Sequence, residues 1–180
     1  MSVNMSIIVL GFVTLQRLGE LALARRNTRQ LLARGAVEAA PGHYPLIVML
    51  HGAWLAGLWY FASDRLVSFF WLSLFVILQG LRVWVIATLG ERWTTRIIVV
   101  PGADRITHGP YRLVSHPNYL IVIAEIAILP LVFGLITFAA IFSLLNALVL
   151  LIRVRAESHA LRWAQEGGQA PGSSPLRGSG

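Results

Sequence analysis

The stretch that decides the fold is "SHPNYLIVIAEIAILPLVFGLITFAAIFSLLNALVLLIRVRAE", residues 115–157, in which a polar, ring-rich start leads into two apolar segments. A membrane-spanning helix needs about 20 mostly apolar residues. Leu135 to Ile152 approaches that length, whereas Tyr119 to Phe133 is shorter and contains Pro130. We therefore predict one full span, preceded by a segment that spans thinly or forms one arm of a hairpin turning at Gly134.

The composition of the whole chain also indicates a membrane environment. Its 180 residues are 56% hydrophobic and 13% charged, with a mean hydropathy of +0.68, which is far more apolar than a soluble domain of this length. A net charge of +7 on such a chain fits basic loops beside a membrane, and not nucleic-acid binding, which uses basic faces on polar folds. Because cysteine is absent, disulfides, thiolate catalysis and Cys-ligated metals are excluded.

Three further apolar segments extend this interpretation. Val3 to Ala24, Tyr44 to Ala62 and Phe69 to Gly90 each have the length of a span. The first lacks a basic start and a small-residue cleavage site, which indicates a retained helix and not a signal peptide. We predict an all-α integral membrane protein with spans near residues 3–24, 44–62, 69–90, 119–133 and 135–152. They form a single transmembrane domain over residues 1–166, followed by a disordered tail, "GGQAPGSSPLRGSG", at 167–180.

The basic residues, all of them arginine, separate the connections by charge. The second connection holds only Arg65. The first connection, the third connection and the C-terminal region are rich in arginine, with Arg25, Arg26, Arg29 and Arg34 in the first, Arg92, Arg96, Arg105 and Arg112 in the third, and Arg153, Arg155, Arg162 and Arg177 at the end. The positive-inside rule then predicts these three regions in the cytoplasm and the N-terminus outside.

Several ionisable residues lie inside the predicted spans, where they are costly and therefore indicate functional or paired groups. Arg17 and Glu20 are three residues apart on one helix face, which favours a structural ion pair. His51, within the second span, is either a hydrogen-bonded core histidine or a substrate contact.

Arg82 and Glu125 are predicted to lie at a similar depth. Arg82 is roughly 12 Å in from the end of its helix at Gly90, and Glu125 roughly 10 Å in from Asn118. Because each charge would otherwise be uncompensated in hydrocarbon, an Arg82 to Glu125 pair is expected. Two roles stay open for these residues: structural pairing and a direct part in the site.

The segment "GPYRLVSHPNY", residues 109–119, carries the strongest local signal. Its two prolines cannot donate backbone hydrogen bonds and push the preceding residues toward extended conformations, so that a turn is expected. Aromatic and polar side chains then flank the entry to the bilayer: Tyr111, His116, Asn118 and Tyr119. Considered alone, this pattern is typical of an interfacial aromatic belt.

Together with "RVRAE" at residues 153–157, the segment resembles the isoprenylcysteine carboxyl methyltransferase (ICMT) family of membrane-embedded, S-adenosylmethionine-dependent enzymes. The resemblance extends to "RWTTRIIVVPG" at residues 92–102 and to "RNTRQLLARGAVEAAPGHYPLIVMLH" at residues 26–51. The fuller pattern is similar to a bacterial branch associated with type III polyketide synthases, whose members O-methylate alkylresorcinols or alkylpyrones. It implies the bacterial inner membrane as the location.

The resemblance also implies the roles of individual residues. Arg153 would bind the substrate, and Glu157, four residues later, would bind the cofactor. Two departures from the family pattern are Ser115, in place of a basic residue, and Ser158, in place of a second glutamate. The remaining implied cofactor-binding residues are Ala103, Asp104, Arg105, Ile106, Tyr111, His116, Pro117, Asn118 and Tyr119.

The acceptor decides which further residues the chemistry needs. A carboxylate needs only orientation, for which Arg153 is suited, whereas a phenol or enol must lose a proton. Candidates for the base are Glu125, His116 and His51, so that Glu125 and Arg153 are the predicted catalytic residues. Arg153, His51 and Arg82 are predicted substrate contacts, and no metal is required.

The sequence alone also allows three other functions. A prenylcysteine-type carboxyl methyltransferase would share the cofactor but not the acceptor. An NADPH-dependent enzyme is the second, because the C-terminal region of membrane sterol reductases resembles the "HPNY" neighbourhood. A non-catalytic lipid-binding membrane protein is the third. The expected partners are a lipophilic acceptor in the bilayer and membrane lipids.

Overall fold

The computed structural model describes residues 4–39, 42, 44–100, 102–104 and 106–165, and the side chains of these residues up to Arg155. This part of the chain forms five α-helices: α1 (Met5–Ala33), α2 (Tyr44–Ala62), α3 (Phe69–Leu89), α4 (Pro117–Val132) and α5 (Ile136–Gln165). Two-residue strands β1 (Val37–Glu38) and β2 (Ile98–Val99) pair antiparallel, and two short 3-10 turns span Gly90–Arg92 and Gly109–Arg112. The predicted tail at 167–180 lies outside the described residues.

The helices confirm the predicted all-α integral membrane fold. Within the described residues, four segments are long and apolar enough to cross a bilayer: Met5–Ala33, Tyr44–Ala62, Phe69–Arg92 and Ile136–Arg155. Pro117–Val132 is the shorter apolar helix that the sequence predicts. At about 1.5 Å per residue, α4 is roughly 24 Å long, which is less than the roughly 30 Å of a hydrocarbon core.

Helix α1 extends beyond the predicted span at residues 3–24. Helix α1 has 29 residues and is therefore roughly 44 Å long, so that it continues beyond the hydrocarbon. Arginine is a good helix former, and Arg25, Arg26 and Arg29 are exposed on this extension. The apolar run, which hydropathy detects, ends earlier than the helix does. Helix α5 likewise continues past the predicted Ile152, to Gln165.

Helices α4 and α5 form the predicted hairpin. Gly134 has a positive φ of 70°, a conformation that glycine adopts without a side-chain clash. The amide of Leu135 donates to the carbonyl of Pro130 at 3.0 Å and closes the turn. Pro117 occupies the first turn of α4, where a missing N–H costs least.

Contacts between connections show which parts of the chain share an end of the bundle. At one end, called the far end, Asn4 and Ser6 donate to the carbonyl of Ser63, and the amide of Ser68 donates to the carbonyl of Val132. At the other end, called the site end, β1 pairs with β2 and Arg153 of α5 reaches the third connection. The three arginine-rich regions therefore gather at one end, as the charge pattern predicts.

The main apolar core occupies the half of the bundle nearer the far end. It combines side chains from α1, α2, α3 and α4 with Phe133 of the hairpin turn. Its buried members are Val9, Leu10, Val13, Trp54, Leu58, Ala62, Phe75, Ile126, Leu129, Val132 and Phe133.

Candidate functional site

The first turn of α4 presents two stacked rings at the site end. His116 precedes Pro117 as the N-cap residue. Its ring lies 5.3 Å from that of Tyr119, with an interplanar angle of 12°. Because His116 is exposed and Tyr119 half-buried, the pair forms a flat aromatic surface facing out of the bundle.

Arg153 of α5 joins this surface to the third connection. Its Nε donates to the hydroxyl oxygen of Tyr119 at 3.0 Å, and its Nη1 donates to the carbonyl of Thr95 at 2.8 Å. The guanidinium carbon lies 5.6 Å from the centre of the Tyr119 ring, within the range of a cation–π contact. Arg153 is 9% exposed, so that its charge is fixed in place and largely shielded from water.

Two polar atoms of the third connection and the first turn of α4 are buried without a hydrogen-bond partner among the residues the structure describes. They are Oδ1 of Asn118 and the indole Nε1 of Trp93. Asn27 of α1 holds this segment by donating to the carbonyls of Gly90 and Trp93 at 3.0 and 2.9 Å. Buried polar atoms are normally paired, so the site end carries one acceptor and one donor open to a ligand.

The turn before α4 packs against the end of α3. Gly109 has a φ of 59°, and a Cβ placed on it would lie 2.7 Å from Oγ1 of Thr88. Tyr111 follows in the same short turn and is half-buried. A glycine at this position therefore allows the close approach that places Tyr111 at the site end.

Replacing Gly109 with alanine is expected to destabilise the protein by about 1–2 kcal/mol through the left-handed backbone alone, with a further cost from the clash with Thr88. We also expect weaker cofactor binding, because Tyr111 would shift. Thermal unfolding in detergent measures the first effect and ligand titration the second. Adding Thr88→Ala should relieve the clash and recover part of the loss. A single Gly109→Ala variant as stable as the parent chain would contradict this account.

The stretch at 103–106 lies in the loop that follows β2. The carbonyl of Asp104 accepts from Nη1 of Arg92 at 2.6 Å, and the amide of Ala103 donates to the carbonyl of Val100. Ala103 and Asp104 are exposed and Ile106 is half-buried. Arg105 lies outside the described residues. Glu157 lies on α5, one turn beyond Arg153, with its side chain outside the described set.

A second set of arginine contacts at the site end, centred on Arg96, was not predicted from the sequence. Arg96 donates to both carboxylate oxygens of Glu38 in β1, at 3.0 and 2.8 Å, and lies 4.6 Å from the centre of the Tyr44 ring. The hydrogen bond that Arg96 donates to Glu38 is the main cause that raises the pKa of Arg96. Tyr44 also contacts the hydroxyl of Thr95 at 3.3 Å, the residue whose carbonyl holds Arg153. Residues 26–51 and 92–102 both belong to the sequence pattern that resembles the family. Their joint presence in that pattern could have indicated that the two segments lie in contact.

Deeper in the bundle, the four charges of the ionic network (Arg17, Glu20, Arg82 and Glu125) form one cluster. The predicted pair of Arg82 and Glu125 is present at 2.8 Å, and the predicted pair of Arg17 and Glu20 at 2.9 Å. Each arginine also contacts the other carboxylate: Arg17 reaches Glu125 at 2.8 Å and Arg82 reaches Glu20 at 2.6 Å. The sequence suggested two separate pairs, but the packing of α1 against α3 and α4 makes them one network.

The surroundings of Glu125 favour the structural role over that of a base. Its Oε2 accepts from Arg17 and Arg82, and its Oε1 accepts from the amide of Gln79 at 2.8 Å. The residue is 1% exposed. Both oxygens of this carboxylate are engaged by donors, two of them cationic, which is the environment of a structural ion-pair partner. Arg82, at 6% exposure, is equally engaged.

His51 is half-buried on the inward side of α2. Its Nδ1 lies 2.9 Å from the carbonyl of Ile47. Since a carbonyl can only accept, Nδ1 carries the proton and donates, and Nε2 is the basic nitrogen of the neutral ring. The hydrogen bond agrees with the interpretation as a core histidine, yet it leaves Nε2 able to contact a substrate.

The bundle and its site end together define an integral membrane protein with a polar, aromatic site where the helices meet water. The profile of the isoprenylcysteine carboxyl methyltransferase family matches residues 71–163, and the chain belongs to this family. It is thus a membrane methyltransferase by class. The matched region contains Thr95, Tyr119 and Arg153, which the structure brings into contact.

Two bacterial proteins are similar to most of the chain. One, described as the uncharacterized protein YpbQ of Bacillus subtilis, is 34% identical over 160 residues, which cover 86% of this chain and 95% of that protein. An uncharacterized protein of Haemophilus influenzae is 26% identical over 152 residues, covering 81% and 88%. No solved structure matches the chain at a significant level.

Proposed function

We propose that the protein is an S-adenosylmethionine-dependent O-methyltransferase of the bacterial inner membrane that acts on a lipophilic acceptor. The acceptor carries a phenolic or enolic oxygen on an apolar tail, as alkylresorcinols and alkylpyrones do. The observation that carries the proposal is the position of Arg153. It is buried between Tyr119 and Thr95, inside the region that matches the family, and one helix turn before Glu157.

The residues at the site end fit the proposed cofactor. The stacked rings of His116 and Tyr119 offer a face to a flat base or a cation. The buried Oδ1 of Asn118, which has no partner among the described residues, can accept from an amino or hydroxyl group. Tyr111 and the loop at 103–104 lie in the same connection, and Glu157 would accept from a diol or an ammonium.

The bound cofactor would supply a methyl group on a sulfonium. The protein would orient the acceptor, stabilise its charge and exclude water. Arg153 orients an acceptor oxygen and stabilises its negative charge, because its guanidinium is fixed and shielded. The ring of Tyr119 is held by Arg153 and so keeps a constant place beside that oxygen. Burial at this end excludes water from the reacting groups.

A phenol needs a base to take its proton. Because Glu125 is held in the ionic network, two of the three predicted bases remain, His116 and His51. Glu125 is engaged by two guanidinium groups. His116 is exposed at the bundle end and can pass a proton to water, whereas His51 lies deeper on α2. We assign the proton to His116 or to water at its surface, since these lie nearest to Tyr119.

The site end is proposed to face the cytoplasm. Arg25, Arg26, Arg29, Arg92 and Arg112 are exposed there, which is the distribution that the positive-inside rule favours on the cytoplasmic side. The cofactor is then drawn from the cytoplasm, and the acceptor reaches the site from the bilayer.

Cofactor binding should depend on His116 and Glu157. Replacing either with alanine is expected to weaken the affinity for S-adenosylhomocysteine by about tenfold or more, the size of one hydrogen bond to a charged group. Isothermal titration of detergent-purified protein measures this affinity. Leu113→Ala is the matched control, because Leu113 lies in the same connection and is 75% exposed. An unchanged affinity for S-adenosylhomocysteine in both variants would contradict the assignment of His116 and Glu157 to the cofactor site.

The acceptor is tested by supplying labelled S-adenosylmethionine with an alkylresorcinol, an alkylpyrone and a prenylcysteine in parallel. We expect label in one or both of the first two lipids. Label in prenylcysteine alone would replace the proposed acceptor with a carboxylate, for which no base is needed.

A further inference from the structure

The main apolar core of the described residues ends at one level of the bundle, where polar and charged side chains cross it. All the buried members of the main core on the helices lie on the far-end side of Gln16, His51, Gln79 and Glu125 in their respective helices. The ionic network joins α1, α3 and α4 at this level. We use the term polar layer for this network together with His51 and Asn146. The polar layer therefore separates the main apolar core from the site end, where Val85, Ile121 and Val149 are again buried apolar residues.

Asn146 and Glu125 lie at the same height in the α4–α5 hairpin. The contact of Tyr119 with Arg153 fixes the register of these two antiparallel helices. Seven residues separate Asn146 from Arg153, and six separate Tyr119 from Glu125. Both are therefore about 9–10 Å from that contact, toward the far end.

His51 lies near the same height. Trp59 of α2 donates to the hydroxyl of Thr14 in α1 at 3.0 Å, which fixes the register of the first two helices. Counting back along α2 from this contact brings His51 opposite Glu20 to within about one helix turn.

Several atoms of the polar layer have no hydrogen-bond partner among the described residues, and Nε of Arg17 is one of them. Asn146 is 1% exposed, and its Nδ2 has no hydrogen-bond partner within the described part of the chain. His51 uses Nδ1 for the carbonyl of Ile47, which leaves Nε2 as an acceptor with no bond to any described residue. The carboxylates of the layer are engaged by the arginines. The layer therefore offers Nε of Arg17 and Nδ2 of Asn146 as open donors and Nε2 of His51 as an open acceptor.

We infer that the polar layer is the floor of the acceptor site, and that Asn146 and His51 bind a second hydroxyl on the head group of the acceptor. A hydroxyl is the small group that accepts from Nδ2 of Asn146 and donates to Nε2 of His51 at once. The second hydroxyl is bound and not methylated, so the inference adds no chemical step. It rests on the proposed function and narrows its substrate class.

The height between the polar layer and the contact of Tyr119 with Arg153 agrees with a single ring. Of the roughly 9–10 Å between the layer and the contact of Tyr119 with Arg153, two hydrogen bonds of about 2.8 Å each leave roughly 4 Å. This spacing suits one six-membered ring with oxygens on both sides. One oxygen would meet Arg153 and the other would meet the floor, while the apolar tail leaves toward the bilayer.

The test compares two lipids of equal chain length, a 5-alkylresorcinol and a 3-alkylphenol, as acceptors for the full-length protein in nanodiscs. The parent chain is expected to prefer the resorcinol by at least about tenfold in kcat/KM, because a site built for a hydroxyl discriminates against the analogue without it. Asn146→Leu should bring this ratio close to one, mainly by slowing the resorcinol. Asn146→Ser, which keeps a donor, should retain part of the preference. Leu148→Ala, on an exposed face of α5, is the matched control.

Dissociation constants of both lipids, measured without the methyl donor, give a second readout. A preference for the resorcinol that is lost in His51→Phe and in Asn146→Leu supports the inference. Equal affinities and equal rates for both lipids in the parent chain would overturn it, while any methylation would leave the proposed function standing. Methylation of neither lipid counts against the proposed function, and the dissociation constants then decide the inference separately.

Discussion

Replacing Glu125 with alanine is expected to lower the free energy of unfolding by about 3–5 kcal/mol, the cost of leaving a buried charge without its partner. Arg17 and Arg82 both donate to Glu125, so the variant would hold two guanidinium groups against the single carboxylate of Glu20. Gln79 would lose its acceptor as well. Unfolding in mixed detergent micelles, followed by circular dichroism, measures this loss.

A double variant separates charge imbalance from lost packing. Replacing Arg82 and Glu125 together with leucine removes one charge of each sign and leaves the pair of Arg17 and Glu20. Because a buried pair is often replaced by apolar residues at little cost, we expect the double variant to be more stable than Glu125→Ala. Wild-type stability in Glu125→Ala, combined with a large loss of turnover, would assign Glu125 the role of base and not that of a structural partner.

Replacing Arg153 with alanine should lower turnover of the acceptor about a hundredfold, the size of a lost charge that stabilises a transition state. The side chain is buried and bonded to Tyr119 and Thr95, so the variant loses both the charge and the link between α5, α4 and the third connection. The affinity for S-adenosylhomocysteine should change much less. Single-turnover kinetics and ligand titration, on the same preparation, separate the two effects.

Tyr119→Phe is the matched control for Arg153. It removes the hydroxyl that accepts from Nε and keeps the ring under the guanidinium. We expect a loss of turnover of about tenfold or less, the size of one hydrogen bond. Equal losses in the two variants, or a loss of cofactor affinity in Arg153→Ala that matches the loss of turnover, would contradict the assignment of Arg153 to the acceptor.

The sequence predicted the spans because a bilayer sets the length and polarity of a helix that crosses it. The same criterion does not indicate where α1 ends, since Arg25, Arg26 and Arg29 continue the helix without being apolar. The hairpin at Gly134 was predictable because proline restricts the backbone and glycine permits the positive φ of a tight turn.

The site was predictable only in part. Arg82 and Glu125 were matched from their depth alone, a quantity that counting along a helix gives. Their contacts with Arg17 and Glu20 depend on how α1 packs beside α3 and α4, which depth does not determine. The link from Arg96 to Glu38 required the pairing of β1 with β2, and two-residue strands leave no pattern in a sequence. The absence of a hydrogen-bond partner for the amide of Asn146 among the described residues was not predictable, because a lone asparagine in an apolar helix gives no sign of whether its amide has a hydrogen-bond partner.

The central claim is that the site end of this membrane protein binds S-adenosylmethionine through the first turn of α4 and the polar end of α5. Titration of detergent-purified protein with S-adenosylhomocysteine and with NADPH tests it most directly. We predict saturable binding of S-adenosylhomocysteine, weakened in His116→Ala and unchanged in Leu113→Ala, with no binding of NADPH. Binding of NADPH without S-adenosylhomocysteine, or binding of neither, would contradict the claim.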